Sequence, residues 1–297
     1  MRLVQGTLAL FRQAFAGWND HNAPRLGASL SYYTLFSMAP LLIIAIGVAG
    51  LVFGEKAAQG QIQAELAGLI GEQSAKAIEG VVEASRQGKA GILASVIAFF
   101  TLLLGATGVF VELKSALNDV WGVKPPPSAG GVWGYVRTRL VSLAMVMAVG
   151  FLLMVSLVAS AALAAVQGLL AGWMPGWDKL LWALNTVVSF GVITVLFALL
   201  LKYLPDTAIA WKDVWLGAVL TALLFNIGKT LIGLYLGKSS VASVYGAAGS
   251  LVVVIVWVYY AAQIFFFGAE LTQAFAHRHG SRSAVAVAAA SEAESRR

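Results

Sequence analysis

The stretch SVYGAAGSLVVVIVWVYYAAQIFFFGAE, residues 243–270, decides the fold that the sequence predicts. It is long enough to cross a bilayer, because a membrane-spanning helix requires about 20 mostly apolar residues. It nevertheless carries Tyr260, Gln263 and Glu270 at helical spacing, on a stripe that begins with two glycines. This stripe predicts a helix with one face toward protein or a cavity and a valine-rich flank available to lipid.

The composition of the whole chain points to the same environment. Of its 297 residues, 59% are hydrophobic and 11% are charged, whereas a soluble domain carries about 25% charged residues. The mean hydropathy is +0.81. The absence of cysteine excludes disulfides and thiolate chemistry. We therefore predict an all-α integral membrane protein, whose net charge of +6 faces anionic lipid headgroups rather than nucleic acid.

Hydropathy along the chain predicts six membrane-spanning helices within a single domain over residues 1–278. Residues 1–20 are predicted to form an amphipathic helix in the membrane interface, residues 54–90 a helical extracytoplasmic cap between the first two spans, and residues 279–297 a flexible cytoplasmic tail. The predicted spans lie near residues 28–53, 91–117, 137–170, 179–203, 212–236 and 244–275.

The distribution of basic residues predicts the orientation. Most of the 20 lysines and arginines fall on the termini and on the second and fourth loops, including adjoining span ends. Cytoplasmic loops of membrane proteins carry an excess of Lys and Arg. Both termini are therefore predicted to lie in the cytoplasm.

Polar residues inside the spans are the candidates for a substrate path, because polar groups at membrane depth usually face a bundle interior or a cavity. A hydroxyl-lined packing face is an equally good interpretation for the first span. Glu270 lies near a span end and can reach cytoplasmic water, whereas Gln263 is the stronger interior candidate. The candidates are Ser29, Tyr33, Ser37, Pro40, Glu112, Asn185, Asn226, Lys229, Tyr260, Gln263 and Glu270.

Three of these candidates carry specific alternatives. Glu112 is expected to reach the interface or to pair with an arginine. Asn226 lies deep in the fifth span and is expected to find a partner, with Asn185 as one possibility. For Lys229, reaching toward the outer interface and serving as a functional charge remain equally open.

Several blocks resemble the YihY/BrkB family of bacterial inner-membrane proteins over roughly residues 5–278. The blocks are ASLSYYTLFSMAPLL from Ala28, LNDVWGV from Leu117, YLPD from Tyr203, GAVLTALLFNIGKTLIGLYL from Gly217, and YGAAGSLVVVIVWVYYAAQIFFFGAELT from Tyr245. The resemblance implies six membrane helices and cytoplasmic termini in a bacterial inner membrane. It also implies links to export or to the movement of lipid-like molecules, and the family has carried the name ribonuclease BN.

Three functions are weighed from the residues. A transporter, exporter or lipid-translocating protein for an amphipathic substrate is favoured, and the lack of a Walker motif predicts that the chain does not hydrolyse ATP. A non-transporting scaffold for envelope biogenesis is the alternative. A ribonuclease is least favoured, because no clustered carboxylates or histidines form a metal-site motif. We expect no catalytic residues, metal or cofactor, and membrane lipids as partners; the oligomeric state stays open.

Overall fold

The described residues of the computed structural model are helical or lie in turns and short connections, with no strand among them. They are residues 2–35, 50, 54, 56, 59–60, 62–64, 79, 108–123, 134, 140–141, 144–145, 177–238 and 249–283. The helices are α1 (Arg2–Asp20), α2 (23–35), α3 (108–120), α4 (Trp177–Tyr203), α5 (Trp211–Lys238) and α6 (Gly249–Arg278).

Helices α4, α5 and α6 agree with the last three predicted spans. Two segments, Ala183–Tyr203 and Val254–Arg278, are long and apolar enough to cross a membrane. Most of the first three predicted spans lies outside the described residues, and the third is described only at residues 140–141 and 144–145. The six-span arrangement therefore stays a prediction, as does the division into domain, cap and tail.

Helices α5 and α6 pack closely at two glycine–threonine pairs, because glycine lets two helix backbones approach each other. Gly217 of α5 faces the hydroxyl of Thr272 on α6, and Gly268 of α6 faces the hydroxyl of Thr221 on α5. Each threonine hydroxyl donates to the carbonyl oxygen four residues earlier on its own helix. The polar groups of this crossing are thereby satisfied without water.

The core surrounds this crossing and joins α4 to α5 and α6. Phe197 of α4 lies 5.6 Å from Phe225 of α5 and 6.0 Å from Phe265 of α6, measured between ring centroids. The end of α3 belongs to the same cluster through Leu117 and Trp121. Removing such a side chain from water stabilises a fold by roughly 1.5–3 kcal/mol. In a bilayer the stabilisation comes instead from close packing between helices.

Helix α1 packs against the last turns of α6. Leu10 and Ala14 are buried in a small cluster with Leu271 and Ala274. A turn at His21 and Asn22, where Asn22 has φ of 52°, then redirects the chain into α2. Asparagine tolerates this left-handed conformation better than most residues.

The predicted cap is described at a few positions only. Gly60, Gln63 and Glu79 are helical. The amides of Gln59 and Gln63 donate to the two carboxylate oxygens of Glu79, at 3.3 and 2.6 Å. These bonds join the two parts of the cap that the sequence separates near Gly71.

Candidate functional site

The first cluster of candidate residues lies where α2 meets α3. The hydroxyl of Ser29 donates to Oε1 of Glu112 at 2.8 Å, and the ring of Tyr33 lies 3.5 Å from the position of a Cβ built on Gly108. These two contacts show that α2 and α3 run antiparallel at this point. Ser29 and Glu112 are half-buried, whereas Tyr33 is exposed. Glu112 therefore pairs with a hydroxyl rather than with the arginine that the sequence suggested.

A second polar contact ties α6 to the start of α2. The side-chain nitrogen of Gln263 donates to the carbonyl oxygen of Ala23 at 3.2 Å. Gly27 lies against the same amide, and a Cβ at this position would overlap it. The Oε1 atom of Gln263 is buried and has no hydrogen-bond partner within the described part of the chain. Gln263 thus makes an interhelical contact, as expected of a polar group in a predicted span.

A third contact lies about two helical turns further along α6, at Glu270. Its Oε1 lies 2.6 Å from Nδ1 of His21, and only 3% of the Glu270 side chain is exposed. Gly17 of α1 abuts the carboxylate so closely that a Cβ there would overlap Oε2. The structure therefore differs from the expectation that Glu270 reaches cytoplasmic water, because α1 covers it and supplies a partner.

Tyr260 and Asn226 use contacts between α5 and α6 or within α5, whereas Asn185 lies exposed on α4. Tyr260 packs over Gly228, where a Cβ would overlap its phenol ring. Asn226 donates to the carbonyl oxygen of Ala222 at 2.8 Å, on its own helix rather than toward Asn185. Ser37, Pro40 and the side chain of Lys229 lie outside the described residues, and their roles stay predictions.

A polar network that the sequence reasoning missed joins α3 to the connection between α4 and α5. Asn118 donates to Oδ2 of Asp206 at 3.0 Å and accepts from the Asp206 backbone N–H at 2.8 Å. Lys114 lies 2.8 Å from Oδ1 of the same carboxylate. The blocks LNDVWGV and YLPD thus meet in space. Both blocks belong to the family resemblance, and this shared membership was the one feature of the sequence that linked them.

The segment after α6 docks onto this end of the molecule. Asp213 is fully buried and accepts hydrogen bonds from the backbone N–H and the hydroxyl of Ser281. Arg282 lies 4.9 Å above the ring of Trp121 and donates to Thr207 and to the carbonyl of Ala208. These contacts fix the start of the predicted tail to the α4–α5 connection.

The clusters described above hold helices together, and one of them presents partly exposed polar side chains. Among the residues that the structure describes, no three His, Asp or Glu side chains lie close enough to hold a metal ion. The only half-exposed carboxylate among the described path candidates is Glu112, since Glu270 is buried. The accessible carboxylate of those candidates therefore lies at the α2–α3 contact.

Comparison with known proteins assigns the chain to a family. The chain is similar to proteins named UPF0761 membrane protein, which it matches over about three fifths of their length. It is 27% identical over 250 residues to that of Verminephrobacter eiseniae, covering 82% of this chain and 57% of the relative. It is 28% identical over 276 residues to that of Albidiferax ferrireducens, covering 87% and 62%. No solved structure matches. The sequence model of the family described as Virulence factor BrkB matches residues 14–293, so the chain belongs to this family of membrane proteins.

Proposed function

We propose that this membrane protein moves an amphipathic, lipid-like molecule across a bacterial inner membrane without hydrolysing ATP itself. The observation that carries the proposal is the half-exposed Ser29–Glu112 pair, which lies beside the exposed Tyr33 at the α2–α3 contact. A carboxylate inside a predicted span is costly unless a polar partner or water meets it. Among the described residues its partner is the hydroxyl of Ser29, and the adjoining phenols provide surface that is apolar at one end and polar at the other.

The polar residues of α6 support a division of labour within the proposed mechanism. Gln263 and Glu270 contact α1 and α2 directly, so we assign them to holding the bundle together. The path that we propose accordingly follows α2 and α3, with Ser29, Tyr33 and Glu112 as its described lining. Ser37 and Pro40 continue the same helical face in sequence.

The proposed arrangement has six spans with both termini in the cytoplasm and α1 in the inner interface. Its support is the exposed apolar face of α1, which flanks the face that packs on α6. Leu8, Phe11 and Phe15 are 71%, 43% and 61% exposed, and the neighbouring Arg12 and Gln13 are exposed as well. Such a helix binds a membrane surface with its apolar side chains below the headgroups.

A vesicle assay tests the proposed movement. The full chain is reconstituted, and transfer of a fluorescent phospholipid analogue between leaflets is measured by its accessibility to a membrane-impermeant quencher. We expect the parent chain to transfer the lipid faster than protein-free vesicles do. Glu112→Gln and Ser29→Ala should markedly reduce this transfer, and the control Thr230→Val should leave it unchanged. Thr230 is an exposed hydroxyl that donates within its own helix. Transfer at the protein-free rate, or equal loss in the control, would contradict the proposal.

A non-transporting scaffold is the second candidate, and one observation favours it. Glu270, His21 and Gly17 form a closed contact between α1 and α6, as tight helix–helix packing in a scaffold requires. In the same assay a scaffold gives protein-free rates for every variant, while variants of Glu270 lower stability alone. Neither candidate includes a catalytic step, and the prediction of no ribonuclease activity is tested directly by incubating the purified chain with RNA.

A further inference from the structure

One face of α5 begins with a lysine, continues with tryptophan and then becomes aliphatic. A phospholipid has the same order of charged headgroup, glycerol backbone and acyl chain. Lys212 is exposed at the start of the helix. Trp215, Leu216, Val219 and Leu223 follow at helical spacing and are between 42% and 47% exposed. In a helix with 3.6 residues per turn these positions form one continuous stripe that Lys212 heads. Ile227 and Leu231 extend the stripe and are 47% and 59% exposed.

Aromatic rings flank the basic end of this stripe. The ring of Trp211 lies 6.1 Å from that of Trp215 and 5.9 Å from that of Tyr203, which it meets edge to face. All three residues are exposed to similar degrees. The ammonium of Lys202 lies 6.0 Å from the centre of the Trp211 ring. Amphipathic rings beside lysines favour the level of the lipid headgroups and the glycerol backbone.

We propose that this face of α5 binds one anionic phospholipid. Lys212 meets the phosphate end, Trp211 and Trp215 lie beside the glycerol, and an acyl chain extends over the stripe from Leu216 onward. Lys202 is half-buried and donates to the carbonyl oxygen of Ile209, so it adds positive charge beside Trp211 from within the protein. From Leu216 to Leu231 the stripe measures about 22 Å at 1.5 Å per residue, which is ample for one acyl chain. Phospholipid is a component of the surrounding bilayer, so the ligand is always available to this face.

Local charge favours an anionic lipid over a zwitterionic one. Asp213 is fully buried and already accepts hydrogen bonds from Ser281. Asp206 is paired with Lys114 at 2.8 Å. The exposed charge at the head of the stripe is therefore that of Lys212. Each lysine near a membrane surface contributes attraction toward anionic lipid worth about fivefold in binding.

The proposed lipid is a resident of the surface of α5 and does not depend on the α2–α3 path. The inference therefore stands whether the protein moves lipids or serves as a scaffold. It adds a lipid class and a defined face to the general expectation that membrane lipids are partners.

Fluorescence quenching by brominated lipids tests the inference. The full chain, with its 9 tryptophans, is reconstituted in phosphatidylcholine vesicles that contain phosphatidylglycerol or phosphatidylcholine brominated on the acyl chains. We expect brominated phosphatidylglycerol to quench at a lower mole fraction. Lys212→Gln lowers this preference by about fivefold, and Lys212→Arg keeps it. Trp215→Phe removes part of the quenched signal.

A matched control separates the site from general surface charge. Arg278 is an exposed cation at the end of α6, on the same predicted side of the membrane, and Arg278→Gln is expected to keep the preference. Equal quenching of the parent chain by both brominated lipids would overturn the inference. So would an unchanged preference in Lys212→Gln, or an equal loss in both variants. Helicity and thermal unfolding of each variant are recorded so that a folding defect is recognised.

Discussion

Glu270 is tolerated in an apolar helix because α1 brings a basic partner to it. The carboxylate lies 2.6 Å from His21 and is covered by Gly17. A buried charge without such a partner is strongly destabilising. The contact joins residues separated by 249 positions in the chain, so helical periodicity identified the stripe that holds Glu270 but gave no means of finding its partner.

Removing the Glu270 carboxylate is predicted to lower stability more than neutralising it. Glu270→Ala leaves a cavity and a partner without its acceptor, at a cost of about 2 kcal/mol in the free energy of unfolding. Glu270→Gln keeps an acceptor for His21 and is expected to cost about half as much. Titration of the purified chain with denaturing detergent measures both. If Glu270→Ala unfolds at the parent's midpoint, the contact does not hold α1.

At the scale of helices, the crossing of α5 and α6 leaves no room at Gly217. A Cβ there would lie 2.8 Å from the backbone oxygen of Gly268, and backbone moves less easily than a side chain. Gly217→Ala is therefore predicted to cost between about 1 and 3 kcal/mol of unfolding free energy. Gly191→Ala is the control, since nothing lies within 4 Å of a Cβ there. It should change stability by less than about 1 kcal/mol, toward greater stability.

The two halves of this crossing are predicted to differ in how well they can be rescued. A Cβ on Gly268 meets the side chain of Thr221 first, with the backbone oxygen of Gly217 at 3.5 Å. Thr221→Ala should therefore relieve much of the cost of Gly268→Ala. Thr272→Ala should relieve less of the cost of Gly217→Ala, because the backbone contact remains. Double-mutant cycles measure the two coupling energies, and equal couplings would contradict the described geometry.

The joint between α3 and the α4–α5 connection depends on Asn118. Asn118→Ala leaves the backbone N–H of Asp206 without its acceptor and is predicted to cost about 2 kcal/mol of unfolding free energy. The neighbouring Asp119 is exposed, and Asp119→Ala should change stability by no more than about 0.5 kcal/mol. Thermal unfolding in detergent compares them. Equal effects would show that the joint contributes nothing beyond surface charge.

For the whole molecule, the proposed orientation predicts opposite labelling of its two faces. The chain has no cysteine, so a single introduced thiol reports its own position. In intact spheroplasts a membrane-impermeant maleimide should label Lys56→Cys in the predicted cap several times faster than Arg278→Cys, which should react after permeabilisation. Both positions are exposed. Labelling of Arg278→Cys in intact spheroplasts would invert the orientation.

The parts of the structure that the sequence predicted are those that depend on local pattern. The last three predicted spans coincide with helices α4, α5 and α6 within a few residues of their expected bounds, because long apolar runs favour helices. The contacts Ser29–Glu112 and Gln263–Ala23 were not predicted. They depend on which helices are neighbours, and a single sequence with periodic faces is compatible with many neighbour arrangements.

The packing of α1 on α6 has a consequence for synthesis. The first helix of the described chain finds Leu271 and Ala274 only after more than 250 further residues have been synthesised. Until α6 has been synthesised, the apolar residues of α1 must be covered by something other than α6, and the surface of the bilayer can cover them. Completion of the bundle is thus a late, long-range event, and we expect ribosome-bound chains arrested before α6 to leave α1 open to proteases that the finished protein resists.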